Sequence, residues 1–253
     1  MTAQQSELYT YPSRLVNVTF KSRNNDGVSG FVVRMPEGEV FRVKSIFQDQ
    51  EYKLARFRGP LRPRTIVDIG ANVGLFALYM KMVDPDAVIH CFEPVPSTVA
   101  LLAENVGGLA GVHIHPYALT KDPGQDTIYL HGSNTGQNSL KRIEPNGQYA
   151  GSTTVPCRCA AQEIDALRLG RIDVLKIDTE GCEVEILESL GDRLEITDYV
   201  LLEFHSEEDR RRLDGLLRNF LLYGGKAGAI GRGTFKYVHQ RLVASQAIDQ
   251  RCP

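Results

Sequence analysis

The segment Thr65–Phe76, TIVDIGANVGLF, constrains this chain more than any other. Ile66, Val67 and Ile69 make a short apolar run broken by Asp68, Gly70-Ala71-Asn72-Val73-Gly74 is a glycine-bounded turn, and Leu75–Met82 reads as a helix. The order is strand, tight turn, helix start. A helix beginning straight after a buried strand aims unpaired backbone N–H groups and a positive dipole end above the turn, and glycines let a ligand approach the backbone. Such a turn makes a nucleotide-sized pocket.

Around that segment the chain alternates strands and helices. Leu15–Phe20, Phe31–Arg34 and Val40–Val43 read as a small β meander. Ser45–Phe57 follows as a helix or irregular lid with Phe47, Glu51 and Tyr52 at its edge, and Arg56–Arg64 is a basic linker. Downstream, Ala87–Phe92, Val112–His115, Asp173–Ile177 and Tyr199–Phe204 are strands, while Ser97–Val106, Ala160–Leu169, Glu183–Leu190 and Ser206–Leu222 are helices. Thr127–Leu130 and Thr153–Cys157 form a pair of β segments around the polar loop His131–Gly151. Gly224–Gly233 reads as a glycine-rich connection, with Phe235–Val238 and Leu242–Ala244 as final strands. This alternation implies a mostly parallel sheet with helices on both faces and ligands above the carboxyl ends of the strands.

Composition narrows the partners. At 253 residues with a formal net charge of -2, the chain suits one large α/β domain, and its charge balance argues against long stretches of bound nucleic acid or an anionic membrane. A small molecule is the expected partner. Five cysteines without framework spacing, and a start without a basic, apolar leader, read as a reduced, cytoplasmic protein without a membrane-spanning run. Cys157-Arg-Cys159 lacks the second pair or nearby histidine that a zinc site needs. Oligomeric state leaves no signal in the sequence.

Acids sit where the architecture places ligands: Asp68 and Glu93 at the first two strand ends and Asp178 at a later one. Glu93 follows Gly70 at about the 20-residue distance typical of a ribose-binding carboxylate. An adenosine ligand fits. The turn lacks the G-x-G-x-x-G order of a pyrophosphate cradle, so a ligand with ribose and adenine but no diphosphate, S-adenosylmethionine, suits it better. An NAD(P)-dependent oxidoreductase is the rival enzyme reading, against which the missing third glycine counts. A non-catalytic adenosyl-ligand-binding protein is the other alternative.

The series Val67-Asp-Ile-Gly-Ala-Asn-Val-Gly74, Phe92-Glu-Pro94, Asn138-Ser139, Leu175-Lys-Ile-Asp-Thr-Glu-Gly181 with Glu183, and Leu202-Glu-Phe-His205 resembles the motifs of the FkbM-type S-adenosylmethionine-dependent methyltransferases. The resemblance implies a Rossmann-like class I methyltransferase sheet of about seven strands with an antiparallel last strand. Residues 1–60 then form an N-terminal meander and lid, and 61–253 the S-adenosylmethionine-binding domain. It also implies O-methylation of a hydroxyl on a sugar, polyketide or other secondary metabolite, with S-adenosylhomocysteine as the other product.

On that reading Gly70, Asn72 and Gly74 place backbone beside the methionine moiety, Glu93 accepts both ribose hydroxyls, Asp68 orders the turn or binds the amino group, and Ala118 borders the adenine. Methyl transfer to a hydroxyl is an in-line displacement that needs alignment and a proton acceptor. His205, beside the helix N-cap Ser206, is the first candidate for that base, the other reading being a hydrogen-bonded structural histidine. Lys176 shares a strand face with Asp178 and is expected to pair with an acid or reach the active site. Glu180 and Glu183 lie across the following turn, where Glu180 extends the polar network and Glu183 reads as part of a solvated helix start. Mg²⁺ held by Asp178, Glu180 and Glu203 or His205 would lower the hydroxyl pKa, but the spacing supplies no unambiguous ligand set, and the reading takes no metal. Asn138-Ser139 divides between substrate contact and turn chemistry, and Asn105 reads as an ordinary helix C-cap. His90, His113, His115, His131 and His239 have no expected role.

Overall fold

The structure, a computed structural model, describes residues 14–24, 27–55, 62–132, 134–141 and 149–247. The chain opens with an antiparallel hairpin of β1 (Leu15–Asn24) and β2 (Gly27–Pro36), and a helical run follows through a 3-10 turn, α1 (Phe41–Val43) and a π turn over Lys44–Gln48. The central part comprises β3 (Thr65–Ile69), α2 (Leu75–Val83), β4 (Val88–Phe92), α3 (Pro96–Val106), β5 (Val112–His115), β6 (Ala118–Thr120) and β7 (Gly124–His131). It continues through β8 (Tyr149–Cys159), α4 (Ala160–Leu167), β9 (Ile172–Ile177), α5 (Glu183–Leu190), β10 (Thr197–Phe204), α6 (Glu207–Leu216), β11 (Phe220–Ala229), β12 (Arg232–His239) and α7 (Gln240–Ala247).

Seven strands form one sheet in the order β11-β12-β10-β9-β3-β4-β5, with β6, β8 and β7 in a smaller sheet. From β10 to β5 all neighbours are parallel, whereas β12 runs antiparallel to both β10 and β11. The expected class I sheet with an antiparallel last strand is therefore present. Two-residue periodicity explains its two-sided core. Ile66, Val174 and Leu201 join α2, α3 and the hairpin residues Val33 and Met35 in one cluster. Val67, Leu175, Ile177 and Val200 join α4, α5 and α6 in another.

Several expected elements differ. Val40–Val43 is helical and the meander is a two-stranded hairpin, because the buried Glu39 takes hydrogen bonds from Thr135 and Asn72 that override the β propensity of its neighbours. The helix expected to reach Leu222 stops at Leu216, and Phe220–Ala229, including most of the glycine-rich connection, is the edge strand β11. Gly225 fits there because a Cβ would meet the Phe235 ring at 2.7 Å. Leu242–Ala244 belongs to α7, not to a strand. Residues 56–61 of the basic linker and 142–148 of the polar loop lie outside the described residues.

Asn105 is not the C-cap of α3, which is Gly107. Its side chain donates to the carbonyls of Val73 (2.8 Å) and Arg34 (3.0 Å) and accepts from the Arg34 N–H (2.9 Å), fastening the hairpin to the glycine turn.

Beneath that turn lies a buried ion pair. Asp68 and Lys176 are register partners on β3 and β9, with the Lys176 ammonium 3.0 Å from Asp68 and donating to the Gly70 carbonyl at 2.6 Å. Both side chains are almost fully buried. Burial drives both groups toward neutrality, but Asp68 and Asp178 outweigh it at Lys176, whose pKa rises. Removing one member of such a pair leaves an uncompensated charge. Lys176→Met is expected to cost about 3–5 kcal/mol in urea unfolding, and the double variant Asp68→Asn/Lys176→Met to recover part of that loss. An additive double variant would show that the two side chains do not stabilise each other.

Candidate active site

At the carboxyl ends of β3, β4 and β9 the glycine turn borders a cleft of about 870 Å³, including its open mouth. The turn needs unusual backbone: Gly70, Asn72 and Gly74 have φ of 79°, 47° and 92°. A Cβ on Gly70 would run into the Asp178 carbonyl, so the close approach of β3 and β9 requires glycine there. Gly74 opens α2 in the left-handed region as its N-cap.

Glu93 projects from the end of β4 into this cleft. One carboxylate oxygen accepts the Asn72 N–H and the other the Val95 N–H, both at 3.0 Å. Burial pushes its pKa up to about 7 against these two hydrogen bonds. Phe92, Ala118, Leu119 and Ile128 supply an apolar wall, while Lys176 and Asp178 stand on the polar side. The residues expected from sequence around a donor therefore meet: Gly70, Asn72, Glu93, Ala118 and Asp178 all line the cleft, with Asp68 and Gly74 just behind it.

A second cleft, of about 1130 Å³, adjoins the first, and Arg42, Ile46 and Tyr52 line both. Its polar wall is Glu180, Glu203 and His205. His205 Nε2 lies 2.9 Å from Glu180 and 3.7 Å from Glu203, while Nδ1 lies 3.7 Å from Glu183. Burial alone would lower the His205 pKa, but the Glu180 carboxylate bonded to Nε2 and the nearby Glu183 carboxylate reverse this and hold it at about 11. The ring is imidazolium at neutral pH. Burial raises the pKa of Glu180 and, together with Asp178 and Glu180, that of Glu203. These acids, His205 and Arg42 form one coupled network.

Glu183 is not a solvated helix residue. It is buried and accepts from the Thr179 N–H (2.9 Å), the Thr179 hydroxyl (3.1 Å) and the Gly181 N–H, locking the turn that carries Glu180. Glu180 sits in the left-handed region at φ 55°, a conformation this lock supports. Ser139 donates to the Glu180 carbonyl at 2.5 Å and Asn138 accepts the His131 N–H, so the Asn138-Ser139 pair fastens the loop to the same turn.

Glu180, Glu203 and His205 can each offer one ligand atom, all within 4.8 Å of one another, which is the arrangement best suited to a cation among the described residues. Asp178 departs from the expected set, facing Lys176 at 3.7 Å instead. Tyr52 packs edge-on against Phe76 and Glu51 lines the second cleft, whereas Phe47 stacks with Phe20 and lines neither cleft. His90, His113 and His115 cluster with one another, His239 bonds Glu195, and none of these or His131 lines either cleft.

Sequence reasoning missed Glu39 and Arg42. Glu39 is fully buried, accepts from the Thr135 N–H and hydroxyl and from the Asn72 side chain, and lies 3.6 Å from Arg42. Nothing in Pro36-Glu-Gly-Glu-Val distinguishes this acid from a solvated turn residue.

Comparison with known proteins places the chain. The sequence model of the methyltransferase FkbM domain matches residues 68–228. Methyltransferase sdnD of Sordaria araneosa is 31% identical over 196 residues, spanning 66% of this chain and 74% of that one. The 31-O-demethyl-FK506 methyltransferase FkbM of Streptomyces tacrolimicus is 28% identical, over 64% of this chain and 72% of its own. The hexuronic acid methyltransferase AglP of Haloferax volcanii is 24% identical, over 75% and 77%. This chain belongs to the FkbM-domain family and is an S-adenosylmethionine-dependent methyltransferase.

Proposed function

We propose that this enzyme O-methylates a hydroxyl of a sugar or other secondary metabolite, with the donor in the first cleft and the acceptor in the second. The observation that carries this is the adjacency of the clefts across Arg42, Ile46 and Tyr52, with an adenosyl-type wall on one side and a coupled acid–histidine group on the other. Relatives whose names specify methylation of a hexuronic acid and of a demethylated FK506 support a small hydroxylated acceptor. Among the described residues no helix is long and apolar enough to cross a membrane.

The chemistry of the first cleft fits S-adenosylmethionine, which supplies an electrophilic methyl group on a sulfonium when bound. Glu93 accepts the ribose hydroxyls through lone pairs left over from its two backbone bonds, and Ala118 with Ile128 borders the adenine. Gly70, Asn72 and Gly74 bring backbone to the amino-acid arm. Asp178 provides negative charge on the sulfonium side, while Lys176 and Asp68 hold the turn at its height. Arg42, Ile46 and Tyr52 of the N-terminal segment border both clefts.

His205 serves this reaction differently from a free neutral base. Because it already carries a proton, it orients the Glu180 carboxylate, and Glu180 takes the acceptor's hydroxyl proton as the new C–O bond forms. Burial and the nearby Asp178 raise the basicity of that carboxylate. Glu183 keeps the ring in place from the other side.

Incubation with S-adenosylmethionine and a panel of sugars, polyols and macrolide alcohols, followed by mass spectrometry, tests the function. Methylated product with S-adenosylhomocysteine supports it, and methylation at nitrogen alone would overturn the O-methylation reading. Glu180→Gln and His205→Asn are each expected to lower kcat by about 10²–10⁴, with S-adenosylhomocysteine affinity unchanged in calorimetry. The ionised Glu93 is the better hydroxyl acceptor, so affinity for S-adenosylhomocysteine should fall as pH drops through 7, approaching about tenfold per pH unit below it. Glu93→Gln should flatten this profile; a wild-type profile already flat from about pH 6 to 8 would remove Glu93 from ribose binding.

A further inference from the structure

Arg42 is a cation placed between the two clefts with a donor left over from its pairing with Glu39. It lines both of them, yet its Nε is buried without a hydrogen-bond partner. Its nearest acid, Glu39, is 3.6 Å away, beyond hydrogen-bond range, and spends its oxygens on Thr135 and Asn72. A guanidinium presents five donors in a fixed fork that matches a carboxylate, and leaving it unpaired in a largely desolvated place is costly.

The surroundings are shaped to keep it there. The guanidinium lies against Gly136, where a Cβ would collide with its Nη2 and Cζ. Glu39, three residues before Arg42, is tied to the Asn72 side chain of the glycine turn, and Thr135 bonds both Glu39 and Asn72. The N-terminal segment is thus registered against the donor turn specifically.

We propose that Arg42 binds the carboxylate of the methyl donor's amino-acid arm, an assignment that rests on the first cleft being the donor site. A carboxylate on the acceptor would use the same fork. The second cleft, however, has Lys226 and Arg232 of its own among Glu51, Glu180 and Glu203, whereas the first joins Arg42 to the backbone of Gly70–Val73, where Glu39 and Thr135 tie its segment to Asn72. Arg42 precedes the matched span 68–228, so the donor site extends beyond the conserved domain model.

Calorimetry on the purified protein tests this without an acceptor. The probes are S-adenosylhomocysteine and its decarboxylated analogue, the aminopropyl thioether of adenosine, which keeps the ammonium. Arg42→Gln should weaken S-adenosylhomocysteine by about tenfold to a hundredfold and leave the analogue within about twofold. Gly136→Ala, which displaces the guanidinium, should show the same selectivity, and Arg42→Lys should restore part of the loss. Equal weakening of both probes would reduce Arg42 to a packing role and overturn the proposal. Unchanged affinity for both would also overturn it, leaving an acceptor-borne anion as the ligand of this fork. Failure of the wild type to bind S-adenosylhomocysteine would instead refute the donor site itself.

Discussion

The Lys176 ammonium is the group on which the rest of the site depends. From near the carboxyl end of β9 it reaches under the glycine turn, meets Asp68 on the neighbouring strand and donates to the Gly70 carbonyl. Three constraints follow from that one contact. It neutralises an aspartate with almost no access to water, it fixes the height of Gly70 above the sheet, and it holds β3 against β9 where a side chain on Gly70 would not fit. The two strand ends supply Asn72 on one side and Asp178 with Glu180 on the other. The two clefts are therefore positioned by a single buried charge pair.

Electrostatics in the second cleft follow from burying Glu180 and Glu203 together against His205. Burial and the charge of Asp178 raise the proton affinity of Glu180 and Glu203, and Glu180 raises that of Glu203 further. His205 relieves this by carrying a proton, because the carboxylates of Glu180 and Glu183 prevail over the burial that would discharge it. A lone histidine at a strand end reads in sequence as a base near its ordinary pKa. Set between two carboxylates, the same residue is a donor that shapes a carboxylate base. The difference lies in the neighbours, and those neighbours come from the left-handed turn at Glu180 and the cap made by Glu183.

Much of this was legible because the relevant signals are local. The strand-turn-helix pattern at Thr65–Phe76, the acid closing β4 and the Lys176–Gly181 run each depend on residues close in sequence, and the parallel sheet follows from their repetition. What escaped depends on distant partners. Val40–Val43 has strand-forming side chains, but Glu39 bonds to Thr135 some 100 residues away make it helical. Gly224 and Gly225 look like a loop, yet Phe235 packs over Gly225 and makes it part of an edge strand. Glu183 looks solvated by composition and is buried by the turn it caps. Asn105 looks like a helix end and ties the hairpin to Val73.

The N-terminal segment shows how a common α/β core acquires an individual site. The core offers a glycine turn open above the sheet. Covering it requires a second element registered to the turn within a fraction of a side chain, and packing alone slides too easily to give that register. Here the registration is polar: Asn105 ties β2 to Val73, and Glu39 ties the following helical turn to Asn72 and Thr135. Buried polar contacts of this kind add less net stability than their number suggests, because each displaces hydration, but they penalise misregister heavily by leaving a carboxylate or amide unpaired. The same bonds set the position of Arg42 and Tyr52, which line both clefts. A cover held by specificity can thus change the acceptor cleft by changing the segment's outer face, while its inner face keeps the donor in place.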